Sequence, residues 1–275
     1  MLGVVAGLFD AGLDVTEADL VIGTSAGSTA AAQITTARAT DLLAQILDAP
    51  PVHRPGQTRP ERTGAGRAAV ADHLERTNRI IASAADPADM RRRMGAAARE
   101  LEGAADGSWS TQWRATVAAR LPSQQWPERA LLITAVDARS GEPVVFDRDS
   151  GVDLADAVAA SCASGVAYAI GDDRYIDGGY RRNENADLAS GAGRVLVLSP
   201  FGGRSRHPVE WGMQLAAQVD ELRAGGSRVE TIVPDRPSLD AFGDNVMDPS
   251  TRQPAAQAGY DQGRACAVQL ADFWG

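Results

Sequence analysis

The chain has 275 residues, with 27 Lys plus Arg against 36 Asp plus Glu and a net charge of −9 at pH 7. That length holds one large α/β domain or two small ones, and the acidic balance lacks the basic footprint of a nucleic-acid binder, leaving only a local cationic patch open. Every cation is an arginine; with no lysine in the chain, a Walker-type phosphate lysine and a Schiff-base lysine are excluded.

Leu2–Ala11 carries apolar residues at helical spacing and stops at Gly12. Leu20–Ile22 reads as a short buried strand of a parallel sheet. Ala26–Leu47 reads as one helix, small residues first and a Leu/Ile face after. Residues 50–69, rich in Pro, Gly and Arg, read as a loop or linker. Two helices follow over 68–103, separated near Asp86-Pro87, and Trp109–Leu121 is a third. The run Arg91-Arg92-Arg93 in this block reads as a solvated helix face, with contact to phosphate or anionic lipid as the functional alternative.

Ala130–Asp137 is the strongest strand signal. A turn over 138–141 returns it as Pro143–Phe146, a hairpin. Asp153 or Asp149 is placed to cap a helix over Leu154–Cys162. Arg174–Asp177 is a short strand ending in Asp-Gly-Gly, and Ala186–Ala189 is one helical turn. Arg194–Ser199 and Val229–Val233 are strands flanking a helix over Pro208–Arg223. Thr251–Phe273 is a long helix. Strands alternating with helices imply α/β architecture, a mostly parallel sheet covered on both faces. Cys162 and Cys266, far apart in apolar helical surroundings, read as buried packing residues, neither a disulfide framework nor a zinc site. No apolar run reaches the ~18 residues of a membrane span. The first residues lack the basic flank of a signal peptide, so the expected location is cytoplasmic.

The chemistry concentrates in Gly23-Thr24-Ser25-Ala26-Gly27. An apolar strand leads into it and an alanine-rich helix leaves it, the setting of a nucleophile elbow. Gly23 and Gly27 lack Cβ and let the backbone pass close to itself. Ala26 starts the helix, so its N–H faces a developing oxyanion at the positive end of the helix dipole. The alternative is that Ser25 is only a polar residue in a tight turn. A nucleophilic serine needs a base. Of His53, His73 and His207, the first two read as surface residues. His207 completes the chain order Ser25, Asp177, His207 of an α/β-hydrolase triad, but that fold places several strands before its serine. Asp177, at a strand end before Gly178-Gly179, is the better candidate, with an ordinary hairpin turn as its bland reading.

Together, Gly23–Gly27 and Asp177-Gly178-Gly179 resemble the patatin-like phospholipases, in particular bacterial members. "TAVDARSGEPVVFD", "LADAVAASCASG" and "NADLASGAGRVLVLSP" extend the similarity. The resemblance implies a three-layer α/β/α sandwich with a mainly parallel central sheet. It implies one domain over 1–275, with the Arg-rich helical block at about 50–128 inserted. The implied activity is that of a serine acyl hydrolase on lipid esters, a phospholipase A, lysophospholipase or carboxylesterase. Ser25 is then the nucleophile and Asp177 the base, with no histidine, metal or cofactor. Ala26, Gly23 and Gly27 form the elbow and oxyanion region, and Gly178, Gly179 and Asn185 support it. The alternative for Asn185 is a cap on the Ala186 turn. The partner implied is a lipid or ester substrate with peripheral membrane contact.

Two departures accompany the resemblance. Family members begin with a strand and a glycine-rich loop that completes the oxyanion hole, whereas here Met1-Leu2-Gly3 falls in the helix that should follow it. The expectations are that the start is misassigned, that the chain is a degenerate, non-catalytic binder of lipid or of a protein partner, or that another segment supplies the donors. Gly202-Gly203 is the one contender for the last. The segment "SCASGVAYAIGDDRYIDGG" is also short, which alters the wall of the acyl pocket.

Overall fold

In the computed structural model, which describes residues 1–50, 61–103, 107–243 and 248–274 and only the backbone of 61–70, the chain opens with α1 (Leu2–Asp10), β1 (Leu20–Gly23), α2 (Ala26–Ile34) and α3 (Ala39–Leu47). The helix expected over 26–47 is thus two helices. The Thr35 and Thr36 hydroxyls turn back onto the carbonyls of Ala31 and Ala32, at 2.8 and 2.7 Å, a bond that competes with helix continuation. Next come α4 (Glu61–Ser83), α5 (Pro87–Gly103) and α6 (Trp109–Ala118). Residues 61–69, expected in the linker, are helical; residues 51–60, including His53, lie outside the described residues.

The hairpin is β2 (Ala130–Asp137) and β3 (Pro143–Phe146), followed by α7 (Leu154–Ser161). Asp153 does not cap α7 through its side chain; it pairs with Arg114 at 2.9 Å. A three-residue strand with no clear sequence signal, β4 (Tyr168–Ile170), precedes β5 (Asp173–Asp177). Then come β6 (Arg194–Leu198), α8 (Leu215–Ala224), β7 (Arg228–Ile232), α9 (Arg236–Phe242) and α10 (Arg252–Trp274). The helix expected over 208–223 is interrupted at Gly212, whose φ of 62° no α-helix accommodates.

Strand β2 organises the main sheet. β1 pairs with it in parallel, Gly23 opposite Ile133, whereas β3 and β5 pair antiparallel, Phe146 opposite Ile133 and Asp177 opposite Ala135. β4 adds to β5 antiparallel, and β6 and β7 form a separate parallel pair. Parallel pairing thus holds where helices make the crossover, tight turns give the antiparallel β2–β3 and β4–β5 pairs, and β5 returns antiparallel to β2 after β3, α7 and β4.

The two faces of β2 bury different helices. Leu131, Ile133 and Ala135 pack with α2, α6 and the alanines of α7. Val136, with Ile176 of β5, packs with Ile81, Met90 and Met94 of α4 and α5. This is the α/β/α layering expected. A third cluster joins α1, α3 and α10. There α1 lies against α10 at backbone contact: a Cβ on Gly7 would fall 2.1 Å from the Tyr260 carbonyl oxygen, and one on Gly263 2.2 Å from that of Val4. No helix among the described residues is long and apolar enough to cross a membrane.

Candidate active site

Strand β1 runs up β2 and β5 runs down it, and both end within the 133–135 stretch. That convergence sets the Ser25 turn beside the Asp177 turn. Ser25 has φ 52° and ψ −125°, a conformation worth about 1–3 kcal/mol of strain for a residue with a Cβ. Its N–H donates to Ser161 Oγ at 2.9 Å, and its carbonyl accepts from Ser28 N–H and Oγ at 2.8 and 2.6 Å. The two motif glycines differ. A Cβ on Gly23 would lie 2.5 Å from Ser28 Cα, so β1 meets α2 only through glycine; a Cβ on Gly27 would meet nothing within 4 Å. Close approach therefore accounts for Gly23 and not for Gly27, which borders open space. Ala26 is exposed. As the first residue of α2 it has no intrahelical acceptor for its N–H, and none other meets it among the described residues.

Asp177 is 6% exposed. Its N–H donates to the Ala163 carbonyl at 3.0 Å. Its Oδ1 accepts from Gly179 N–H at 2.8 Å, and its Oδ2 accepts from Ser25 Oγ at 2.7 Å. Burial pushes its carboxyl up to about 6, against the pull of the Gly179 N–H and the Ser25 hydroxyl. Gly178 is dictated by its neighbour: a Cβ there would sit 2.2 Å from Thr134 Oγ1. Gly179 is looser, its nearest atom Asp177 Oδ1 at 3.1 Å.

Asn185 is fully buried with φ 51°. It stands at the N-cap position of the 186–189 turn without a side-chain capping bond; Gln218 Oε1 takes the Ala186 N–H at 2.8 Å. Instead its Nδ2 lies 2.9 Å from Thr24 Oγ1, 3.2 Å from the Gly178 carbonyl and 2.7 Å from that of Arg182, and its Oδ1 accepts from Arg181 at 2.6 Å. Arg181 is paired in turn with Asp187. Thr134 Oγ1 donates to Thr24 Oγ1 at 3.0 Å. Elbow, β2 and the Asp177 turn are thus tied through one buried amide.

Other expected residues fall elsewhere. His207 Nδ1 pairs with Ser205 Oγ at 2.7 Å, its ring stacks on Trp211, and burial, then Arg206, push it down to about 4. Since Ser25 bonds Asp177 directly, the histidine triad is not formed. The contender loop is also occupied: Gly202 N–H donates to the Ser199 carbonyl and Gly203 N–H to Ser199 Oγ, at 3.1 and 2.9 Å. His73, expected at the surface, is half-buried. In the arginine run, Arg92 and Arg93 pair with Asp89, while Arg91 Nε donates to the Gly141 carbonyl at 2.6 Å. The cysteines are free and half-buried rather than buried. Burial and then Asp177 push the Cys162 thiol up to about 11, so no thiolate competes with Ser25 at neutral pH.

Sequence reasoning missed Ser161, Thr24 and Thr134. Ser161 lies 136 positions from the amide it holds, and nothing local in "AASCAS" signals that contact. Chemically, the arrangement offers a hydroxyl on a strained turn, a buried carboxylate in contact with it, and a free N–H one residue on. No curated protein matches the chain. A profile of the family described as Patatin-like phospholipase matches residues 1–190. With two strands converging on a Ser–Asp pair and a family match over most of its length, the chain belongs to the patatin-like phospholipase family.

Proposed function

We propose that this chain is a serine acyl hydrolase of lipid esters that works through Ser25 and Asp177. Patatin-like proteins are in general lipid acyl hydrolases. The observation carrying the specific reading is the 2.7 Å bond from Ser25 Oγ to Asp177 Oδ2, within the reach a general base needs. In this reading Ser25 Oγ attacks the ester carbonyl and Asp177 takes its proton. The Ala26 N–H receives the oxyanion. The tetrahedral intermediate collapses, the alcohol leaves with the proton from Asp177, and the acyl group stays on Ser25. Asp177 then deprotonates a water that releases the fatty acid and restores the serine. Residues 1–275 act as one domain, with α4–α6 an insertion beside the site.

The test is hydrolysis of a short p-nitrophenyl ester, together with labelling by a fluorophosphonate probe. Ser25→Ala and Asp177→Asn each reduce turnover by at least about a thousand-fold, and only chains retaining Ser25 are labelled. Undiminished turnover in Ser25→Ala refutes the reading. An unlabelled wild-type protein supports a lipid- or partner-binding relative without activity.

A further inference from the structure

The insertion helix α4 and the 200–208 loop each bring one arginine to the Asp177 side of the site, and the dyad chemistry uses neither. The 161–165 segment carries the connection. Ser161 holds the Ser25 N–H, Ala163 accepts from Asp177 N–H, and the Ser164 carbonyl accepts from Tyr180 Oη at 2.6 Å. A Cβ on Gly165 would lie 4.0 Å from His73 Nδ1. His73 and Arg76 share one turn of α4, with Arg76 Nη2 3.3 Å from His73 Nδ1. A guanidinium only donates, so Nδ1 accepts, consistent with burial and then the two arginines keeping His73 neutral.

Arg206 reaches the same helix from the 200–208 loop. Its Nη1 donates to Thr77 Oγ1 at 2.8 Å and to Asn78 Oδ1 at 2.9 Å. Those bonds fix the guanidinium and leave Nε and Nη2 unengaged among the described residues. Neither Arg76 nor Arg206 forms an ion pair among the described residues. Asp72, one turn before Arg76, forms none with it, and Glu75 pairs with Arg79. Tyr180 sits between the two parts, its hydroxyl within the electrostatic reach of Asp177, Arg206 and Arg76 together. Two guanidinium groups without an ion-pair partner among the described residues, both felt by one tyrosine, are a local reversal in a chain of net charge −9. Their forks suit a phosphate better than a point charge does.

We propose that Arg76 and Arg206 form a subsite at the Tyr180 side of the dyad that takes a phosphate-bearing group of the ester substrate, selecting acyl glycerophosphates over neutral acylglycerols. The proposal rests on the esterase reading for the word substrate. Its test does not depend on turnover, because it is made on full-length Ser25→Ala protein.

The probes are hexanoylglycerol 3-phosphate, hexanoylglycerol and inorganic phosphate, each monomeric in solution so that no lipid surface enters, with binding measured by calorimetry. The phosphate ester binds about ten-fold or more tighter than either other probe, the scale of one good charge-assisted contact. Adding Arg76→Gln and Arg206→Gln brings that preference below about three-fold, and Arg-to-Lys changes retain part of it. If the double variant unfolds, Arg76→Gln alone, at a position whose hydrogen bond is to His73, serves with a loss of about three-fold or more. An unchanged preference in the variants, or none in the parent, overturns the proposal. Equal affinity for inorganic phosphate and the ester also overturns it, since that is a free-phosphate site. Loss of Ser25-dependent hydrolysis would sink the esterase reading and leave this binding result standing.

Discussion

Asp177 carries a measurable conflict between stability and chemistry. Its carboxyl titrates at about 6 in the fold against a reference of 3.8, so the folded state holds the proton more tightly than the unfolded chain. Its contribution to stability is full below the unfolded value and is lost as pH rises from about 4 through about 6; a shift of that size is worth ~3 kcal/mol. Activity runs the other way, because the base works deprotonated. The expected profile is kcat/KM falling as pH drops below about 6. Asp177→Asn should be more stable than the parent at pH 8 by roughly 2–3 kcal/mol, with the gain vanishing near pH 4. Urea unfolding at the two pH values checks it; equal midpoints at pH 8 would refute the burial argument. At this scale the Ser25 turn, Asp177, Gly23 and Gly178 were legible in the sequence, since a strained turn and a close approach restrict residue type locally, whereas close approach does not account for Gly27. Ser161 and the true partners of Asn185 were not, because a serine or asparagine fits a long-range bond and a surface equally well until the chain is folded.

At the scale of elements, strong periodicity was readable and competition was not. The β2–β3 hairpin and the breaks around Pro87 follow from alternation and punctuation. The end of α2 depends on two threonine hydroxyls choosing their own helix carbonyls. The start of α4 lies in a Pro- and Arg-rich stretch whose composition suggests a linker, yet its backbone is helical from Glu61. The position of β4 depends on β5, which supplies its partner. The α1–α10 crossing is the element contact most sensitive to one atom. Gly263→Ala puts a methyl where the Val4 carbonyl sits, and overpacking of this kind costs about 1–3 kcal/mol. Denaturant unfolding should show that loss, whereas Gly27→Ala, on a helix and facing open space, should hold the midpoint or raise it slightly.

At the scale of the whole molecule, the family match covers residues 1–190, yet α1, whose chain leads into β1 and the elbow, is seated on a helix that begins at Arg252. Sheet, elbow and Asp177 turn all lie before that helix. The glycine seam has a consequence for the order of synthesis. As the nascent chain leaves the ribosome N-terminus first, α1 emerges well before α10 and waits, the side that meets α10 uncovered, until residues beyond 263 follow. Chains halted at residue 250, released from the exit tunnel by a linker, should therefore be cleaved within residues 1–50 by a brief protease pulse that full-length chains survive. Survival of the halted chains would mean that α1 finds its place without α10. Otherwise the segment that leads into the Ser25 turn is made well before the helix that closes over it.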